Sequence, residues 1–143
     1  MRLRILAIGR CRDAAIRELT ERYLGRCALP SELVELSPRG PEAEALLAAL
    51  PAEGRIVALD ERGRDLGSAE IAAILGRWRD RGERQATFVI GGADGLGEAV
   101  LARADLRLAF GRATWPHMLV RAMLAEQLYR AGTILSGHPY HRA

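Results

Sequence analysis

Short apolar runs and amphipathic stretches alternate along the whole chain, and few architectures accept that order. Residues 3–8, 33–36, 55–60, 86–90 and 106–110 read as strands whose apolar residues are mostly contiguous, the pattern of strands covered on both faces. Between them lie helix patterns. The first runs over 13–27, with Asp13 as N-cap and Ile16, Leu19, Tyr23 and Leu24 on one face. Pro41 opens a second, 42–50, which Pro51 closes, and Ser68 caps a third, 68–80, ended by Gly82. A short helix over 98–104 and a long one from Pro116 to about residue 131 complete the series. Five such alternations predict an α/β fold, a parallel sheet with helices on both faces. A chain of 143 residues and 15.6 kDa suits one domain, 1–143, and no repeat, linker or low-complexity segment interrupts it.

The last helix pattern stands apart. Between His117 and Ala131 its only charged or amide residues are Arg121, Glu126, Gln127 and Arg130. Met118, Leu119, Val120, Met123, Leu124, Leu128 and Tyr129 go most of the way round. A helix apolar on several sides must be buried on several sides, by deep insertion or by a subunit interface, and Leu124 fits either. A homodimer is expected, since a two-fold pair is the commonest solution.

Composition excludes several classes. All 21 basic residues are arginine, which a GC-rich genome explains; there is no lysine or asparagine. P-loop nucleotide hydrolysis and Schiff-base chemistry both need a lysine and are therefore ruled out. No apolar run reaches the roughly 18 residues of a membrane span, and the first nine residues lack a signal-peptide core, so the expected location is cytoplasmic. Cys11 and Cys27, sixteen apart, make no disulfide framework or zinc site, and none of the four serines sits in a GxSxG elbow. Charge is uneven: residues 1–102 balance to −1, whereas 103–143 balance to +4 and hold all three histidines. That end suits an anionic partner, although a solvated helix face explains it too.

Ligands of such sheets sit beyond the carboxyl ends of the strands. Three strand ends are candidates: Leu59-Asp60, the glycine turn GGADGLG (91–97), and FGRATW (110–115). The glycine turn is not GxGxxG, because Val100 stands where the last glycine would fall. It is either a tight connection or a place where backbone approaches a ligand. The end of the chain, HPYHR (138–142), has two histidines but no further ligands, so no metal is expected. It is either an inert terminus or a lid carrying Tyr, His and Arg onto a nucleotide.

The segments IVALD (56–60), FVIGGADGL (88–96), PHMLVR (116–121), AEQLYRA (125–131) and HPYHR (138–142), in this order and spacing, resemble the RlmH family of the SPOUT class. These are 23S rRNA (pseudouridine(1915)-N3)-methyltransferases. The similarity covers essentially the full chain, and HPYHR is its most specific part. It implies a SPOUT domain with a deep C-terminal trefoil knot, a homodimer, and 23S rRNA within the ribosome as partner, without membrane or metal. S-adenosylmethionine would be the cofactor, held by Leu59, Gly91 and the loop Phe110, Gly111, Arg112, Ala113, Thr114 and Trp115. Transfer from a sulfonium needs in-line positioning and a lone pair on the acceptor, not a covalent residue. The base's imide-like N3–H would be assisted by His138, Tyr140, His141 or Arg142, candidates by residue type alone. Two rivals stay open: a nucleotide- or RNA-binding module without catalysis, and a dimeric ribosome-associated protein without a cofactor.

Overall fold

The computed structural model describes residues 1–142. Its strands are β1 (Arg2–Ile8), β2 (Ser31–Leu36), β3 (Arg55–Asp65), β4 (Gln85–Ile90) and β5 (Leu106–Ala109). Its helices are α1 (Ala14–Arg26), α2 (Glu42–Ala49), α3 (Ser68–Asp80), α4 (Glu98–Arg103) and α5 (His117–Ser136). All strand pairs are parallel, in the order β2-β1-β4-β3-β5. Strand periodicity divides the core in two. Leu3, Ile5, Ala7, Val57 and Phe88 point to one face, where Ile71, Leu75 and Trp78 of α3 and Leu124 and Leu128 of α5 cover them. Leu6, Ile8, Ile56, Ala58 and Val89 point to the other, under Leu46 of α2 and Val100 of α4. Each fully buried large side chain contributes roughly 1.5–3 kcal/mol. The central strands carry apolar residues on both faces because both are covered, which is why their runs are contiguous.

Boundaries and caps agree with the sequence reading to within two residues except in three places. The strand expected at 55–60 continues to Asp65, because residues 60–63 bulge outward before pairing resumes: Leu108 faces both Leu59 and Arg64. Gly63 sits so close to β5 that a Cβ there would lie 2.6 Å from the Arg107 carbonyl carbon, so only glycine lets the strand rejoin. Ser68 is not the cap of α3. Gly67 holds that position, its N–H donating to Glu70 Oε2 at 2.7 Å, while the Ser68 hydroxyl donates to Gln127 across the α3–α5 contact. The third difference is the end of α5, which passes the expected stop near Ala131 and reaches Ser136, since nothing before Gly137 breaks it.

Helix α5 packs against α1 and α3, and Ala122, Leu124, Ala125, Leu128 and Ala131 are buried there. Leu124 therefore faces the chain's own core. Met118, Leu119, Val120 and Met123 are only half-buried, so within one chain the expected all-round burial is not reached. Arg121 is buried to 1% exposure. It donates to Glu35 and to the carbonyls of Ile8 and Gly9, tying α5 to the end of β1. Glu35 also accepts from Cys11 N–H at 2.7 Å. Such a charge is tolerated only with those partners, and replacing it with an apolar residue would strand the Glu35 carboxylate and both carbonyls. No helix among the described residues is long and apolar enough to cross a membrane.

Candidate functional site

The carboxyl ends of β3, β4 and β5 open into a cavity of about 290 Å³. Its walls begin with Leu59, where β3 starts to bulge, Ile90 and Gly91, where β4 ends, and Ala109 and Phe110, where β5 ends. Leu96, Leu101, Leu108 and Val120 make the interior apolar, while Asp60, Glu61 and His117 add polar groups to its lining. Two carboxylates beside an apolar slot favour a ligand that joins an uncharged body to a positive centre.

Each wall is fixed by contacts of its own. In the glycine turn Gly95 N–H donates to the Gly92 carbonyl at 3.0 Å. A Cβ on Gly91 would lie 2.7 Å from the Gly95 carbonyl carbon and 2.8 Å from its oxygen, so the turn closes only around glycine. Glu42, in the first turn of α2, braces the same turn by accepting from Asp94 N–H at 3.4 Å. The 110–115 loop is tied to the bulge of β3: Gly111 N–H donates to Asp65 at 3.2 Å, and the Thr114 hydroxyl to Glu61 at 3.2 Å. The Trp115 indole N–H returns to the Phe110 carbonyl at 2.8 Å, leaving the ring 44% exposed over the opening.

Seven of the eight residues assigned to the cofactor from the sequence border this cavity: Leu59, Gly91, Phe110, Gly111, Ala113, Thr114 and Trp115. Arg112 is exposed and is not part of the lining. The sequence offers Asp60, at a strand end, as a base or ligand or equally as a capping or turn residue, and gives no sign of Glu61 and His117, which lie in continuous chain with the assigned segments.

The tail lies elsewhere. None of His138, Tyr140, His141 and Arg142 lines the cavity. It is not a loose terminus, for Tyr140 and His141 are held against α5. The Tyr140 ring meets Tyr129 edge-on at 4.6 Å, its hydroxyl donates to Glu126 at 3.1 Å, and the Arg130 guanidinium lies 4.8 Å over its face. Burial and hydrogen bonds to Tyr23 and Glu126 push the phenol up to about 12. Arg130 also reaches His141 Nδ1 at 3.1 Å, and His138 Nδ1 accepts from Tyr140 N–H at 3.2 Å. His138 and Arg142 remain exposed. Among the described residues no group of three or more His, Cys, Asp or Glu is placed to hold a metal.

A parallel sheet with a preformed, mostly apolar cavity at its strand ends, with acidic residues in its lining, defines an α/β protein that takes a small ligand there. A family model described as "Predicted SPOUT methyltransferase" matches residues 1–141, and the chain belongs to that family. It is 52% identical over 151 residues to Ribosomal RNA large subunit methyltransferase H of Paramagnetospirillum magneticum, with 99% of each chain covered. Identity is 55% over 152 residues to the protein of the same name from Rhodospirillum centenum, covering 100% of both. Two solved structures are similar in fold. A probable methylase family protein from Haemophilus influenzae has a TM-score of 0.63 at 12% identity, covering 99% of this chain and 70% of that one. A probable methyltransferase from Bordetella pertussis has a TM-score of 0.63 at 18% identity, covering 90% and 95%.

Proposed function

We propose that this protein transfers a methyl group from S-adenosylmethionine to N3 of pseudouridine 1915 of 23S rRNA in the assembled ribosome. The observation that carries the reading is the cavity at the ends of β3–β5, bounded by seven of the eight residues expected to hold the cofactor, in a chain that belongs to a methyltransferase family. The full-length relatives named for large-subunit rRNA methylation support the choice of substrate.

The residues present suit that cofactor. Backbone of Gly91 and of the 110–115 loop can meet a nucleoside edge, the Leu96, Leu108 and Val120 surfaces its apolar parts, and Asp60 and Glu61 the positive sulfonium. When bound, S-adenosylmethionine supplies an electrophilic methyl. The chain's own work is to orient it, exclude water and present the base in line, and such positioning contributes several kcal/mol to a bimolecular transfer. HPYHR brings what holds an RNA base: a stacking ring, two imidazoles and a phosphate-pairing guanidinium. In one protomer that set is bound to α5 and away from the cavity. The reading therefore includes a homodimer in which a tail serves a partner's cavity. The half-buried Leu119 and Met123, which border an open groove with Leu19, Tyr23 and Phe110, support an interface on α1 and α5. The family reading also carries the C-terminal trefoil knot, and a ribosomal substrate implies the cytoplasm.

The test is methylation of ribosomes that lack this modification, with the modified base mapped, beside calorimetry with S-adenosylmethionine and light scattering. Expected are methyl at N3 of that pseudouridine, cofactor binding, and a particle of about 31 kDa, twice the 15.6 kDa chain. Ribosome binding without methylation or cofactor uptake would instead favour a ribosome-associated protein.

A further inference from the structure

Arg130 has no part in the scheme so far, yet it is the hub of the docked tail. Its Nε donates to Glu126 Oε1 at 2.8 Å, its Nη2 pairs with the same oxygen, and its Nη1 lies 3.1 Å from His141 Nδ1. A guanidinium offers donors only and keeps its proton at any ordinary pH. The hydrogen bond to Glu126 holds the Arg130 proton more firmly still. At 3.1 Å, therefore, His141 Nδ1 must be the acceptor. With Nδ1 accepting, the ring's N–H is the one at Nε2.

We propose that Arg130 is a positioning residue that locks His141 in the Nε2–H tautomer, so that His141 meets the RNA base as a hydrogen-bond donor and does not remove the N3 proton. The inference rests on the methyltransferase reading. In the transfer the N3–H bond breaks, its electron pair stays on the base, and the proton passes to solvent water. The lone pair on N3 then forms the N–CH3 bond as the S–CH3 bond breaks, leaving a neutral thioether. The negative charge in between is shared by the two flanking carbonyl oxygens of the base. Donors answer that charge, and Nε2–H of His141 and the guanidinium of Arg142 are donors of that kind.

The groups around the ring agree. Arg130 reaches the ring from α5 and is itself paired with Glu126, while Tyr129 and Glu126 hold the neighbouring Tyr140, Tyr23 of α1 lies 5.9 Å from Tyr129, and His138, Tyr140 and Arg142 adjoin His141 along the tail. The Arg130 guanidinium, held by Glu126, presents only donors to Nδ1 and leaves no place for a hydrogen on that nitrogen. Glu126 anchors both Arg130 and the Tyr140 hydroxyl, and through them the tail.

Two measurements decide it, both on the full chain. In nitrogen-15 NMR of histidine-labelled protein without ribosomes, His141 should show a bare Nδ1 and a protonated Nε2. Arg130→Met should mix the tautomers, whereas Arg130→Lys, which can still donate, should keep much of the bias. A hydrogen on Nδ1 in the parent protein, or a tautomer unchanged by Arg130→Met, overturns the proposal. In the pH profile of ribosome methylation, the rate should rise through the alkaline range as N3–H ionises, without a break near the ordinary histidine value of about 6.5. Arg130→Met should lower kcat by about 10²-fold with cofactor affinity unchanged, and Arg130→Lys should restore part of it. A break near 6.5 that disappears in His141→Gln makes His141 the base and ends the proposal. If the parent protein methylates nothing, the functional reading fails, while the NMR result still decides the tautomer.

Discussion

The cavity and the tail hold their chemistry by different means. Around the cavity nearly every fixing contact has main chain at one end at least: Gly95 to Gly92, Gly111 to Asp65, Trp115 to Phe110, Asp94 to Glu42, with Thr114 to Glu61 the exception. Around the tail they run between side chains: Tyr140 to Glu126, Arg130 to Glu126 and His141, Tyr140 on Tyr129. A cavity walled by backbone stays formed when single side chains change, provided the glycines remain. A cluster of side chains depends on each of its members, so changing any one of them alters how the others are presented. The first is suited to holding a small cofactor and the second to engaging a large, late-arriving partner.

The difference should be widest on cutting the tail. Ending the chain after Gly137 removes every candidate for contacting RNA but no residue that lines the cavity. Methylation of ribosomes should fall by at least about 10²-fold, the scale of losing positioned polar groups at a reaction centre. S-adenosylmethionine binding by calorimetry should stay near normal. Because Tyr140 is docked on Tyr129 and Glu126, melting should also drop modestly, by about 1–2 kcal/mol for one aromatic pair and one hydrogen bond. Loss of cofactor binding in the truncated protein would show that the two regions are not separable.

The converse change is Gly91→Val. Its Cβ would lie 2.7 Å from backbone of Gly95, so the turn must open whether or not a ligand is present. Overpacking of this kind costs about 1–3 kcal/mol, and most of that should appear as cofactor binding weakened by about fivefold to 10²-fold. The docked tail, judged by the tautomer of His141, should be unaffected. Undiminished cofactor binding by a folded Gly91→Val protein would take the glycine turn out of the site.

What could be read in advance follows the same division. Contiguous apolar runs revealed the strands because the sheet is covered on both faces, and the strand-end rule then pointed to Leu59, Gly91 and the 110–115 loop. The loop was legible as a segment, but not residue by residue: whether Arg112 joins the lining depends on the tether from Gly111 to Asp65, a contact 46 residues away in the chain. The 60–63 bulge that brings Glu61 to the cavity was hidden for a related reason, since it shows only when β3 is set against β5. Arg121 read as one polar residue on an apolar helix, and its burial requires carbonyls at the end of β1. The tail was legible in composition and not in position, because its anchors Glu126 and Arg130 look like an ordinary i, i+4 ion pair until the chain folds back.

The smallest expected effect concerns pH and touches the tail alone. The Tyr140 phenol is pushed up to about 12 from an ordinary value of 10.0, first by burial and then by its hydrogen bonds to Tyr23 and Glu126. A group whose folded value is raised adds stability that is complete below the unfolded value and is lost as pH rises through the folded one. The docked tail should therefore be insensitive to this group up to about pH 10 and be released as pH climbs from 10 towards about 12. Spectrophotometric titration should show one of the three tyrosines ionising late, and Tyr140→Phe should remove that late step. The cavity has no tyrosine in its lining, so cofactor binding measured just above pH 10 should follow the parent protein's neutral value in both forms. A late tyrosine that survives in Tyr140→Phe would assign the shift to Tyr23 or Tyr129 and leave Tyr140 outside the α5 contact.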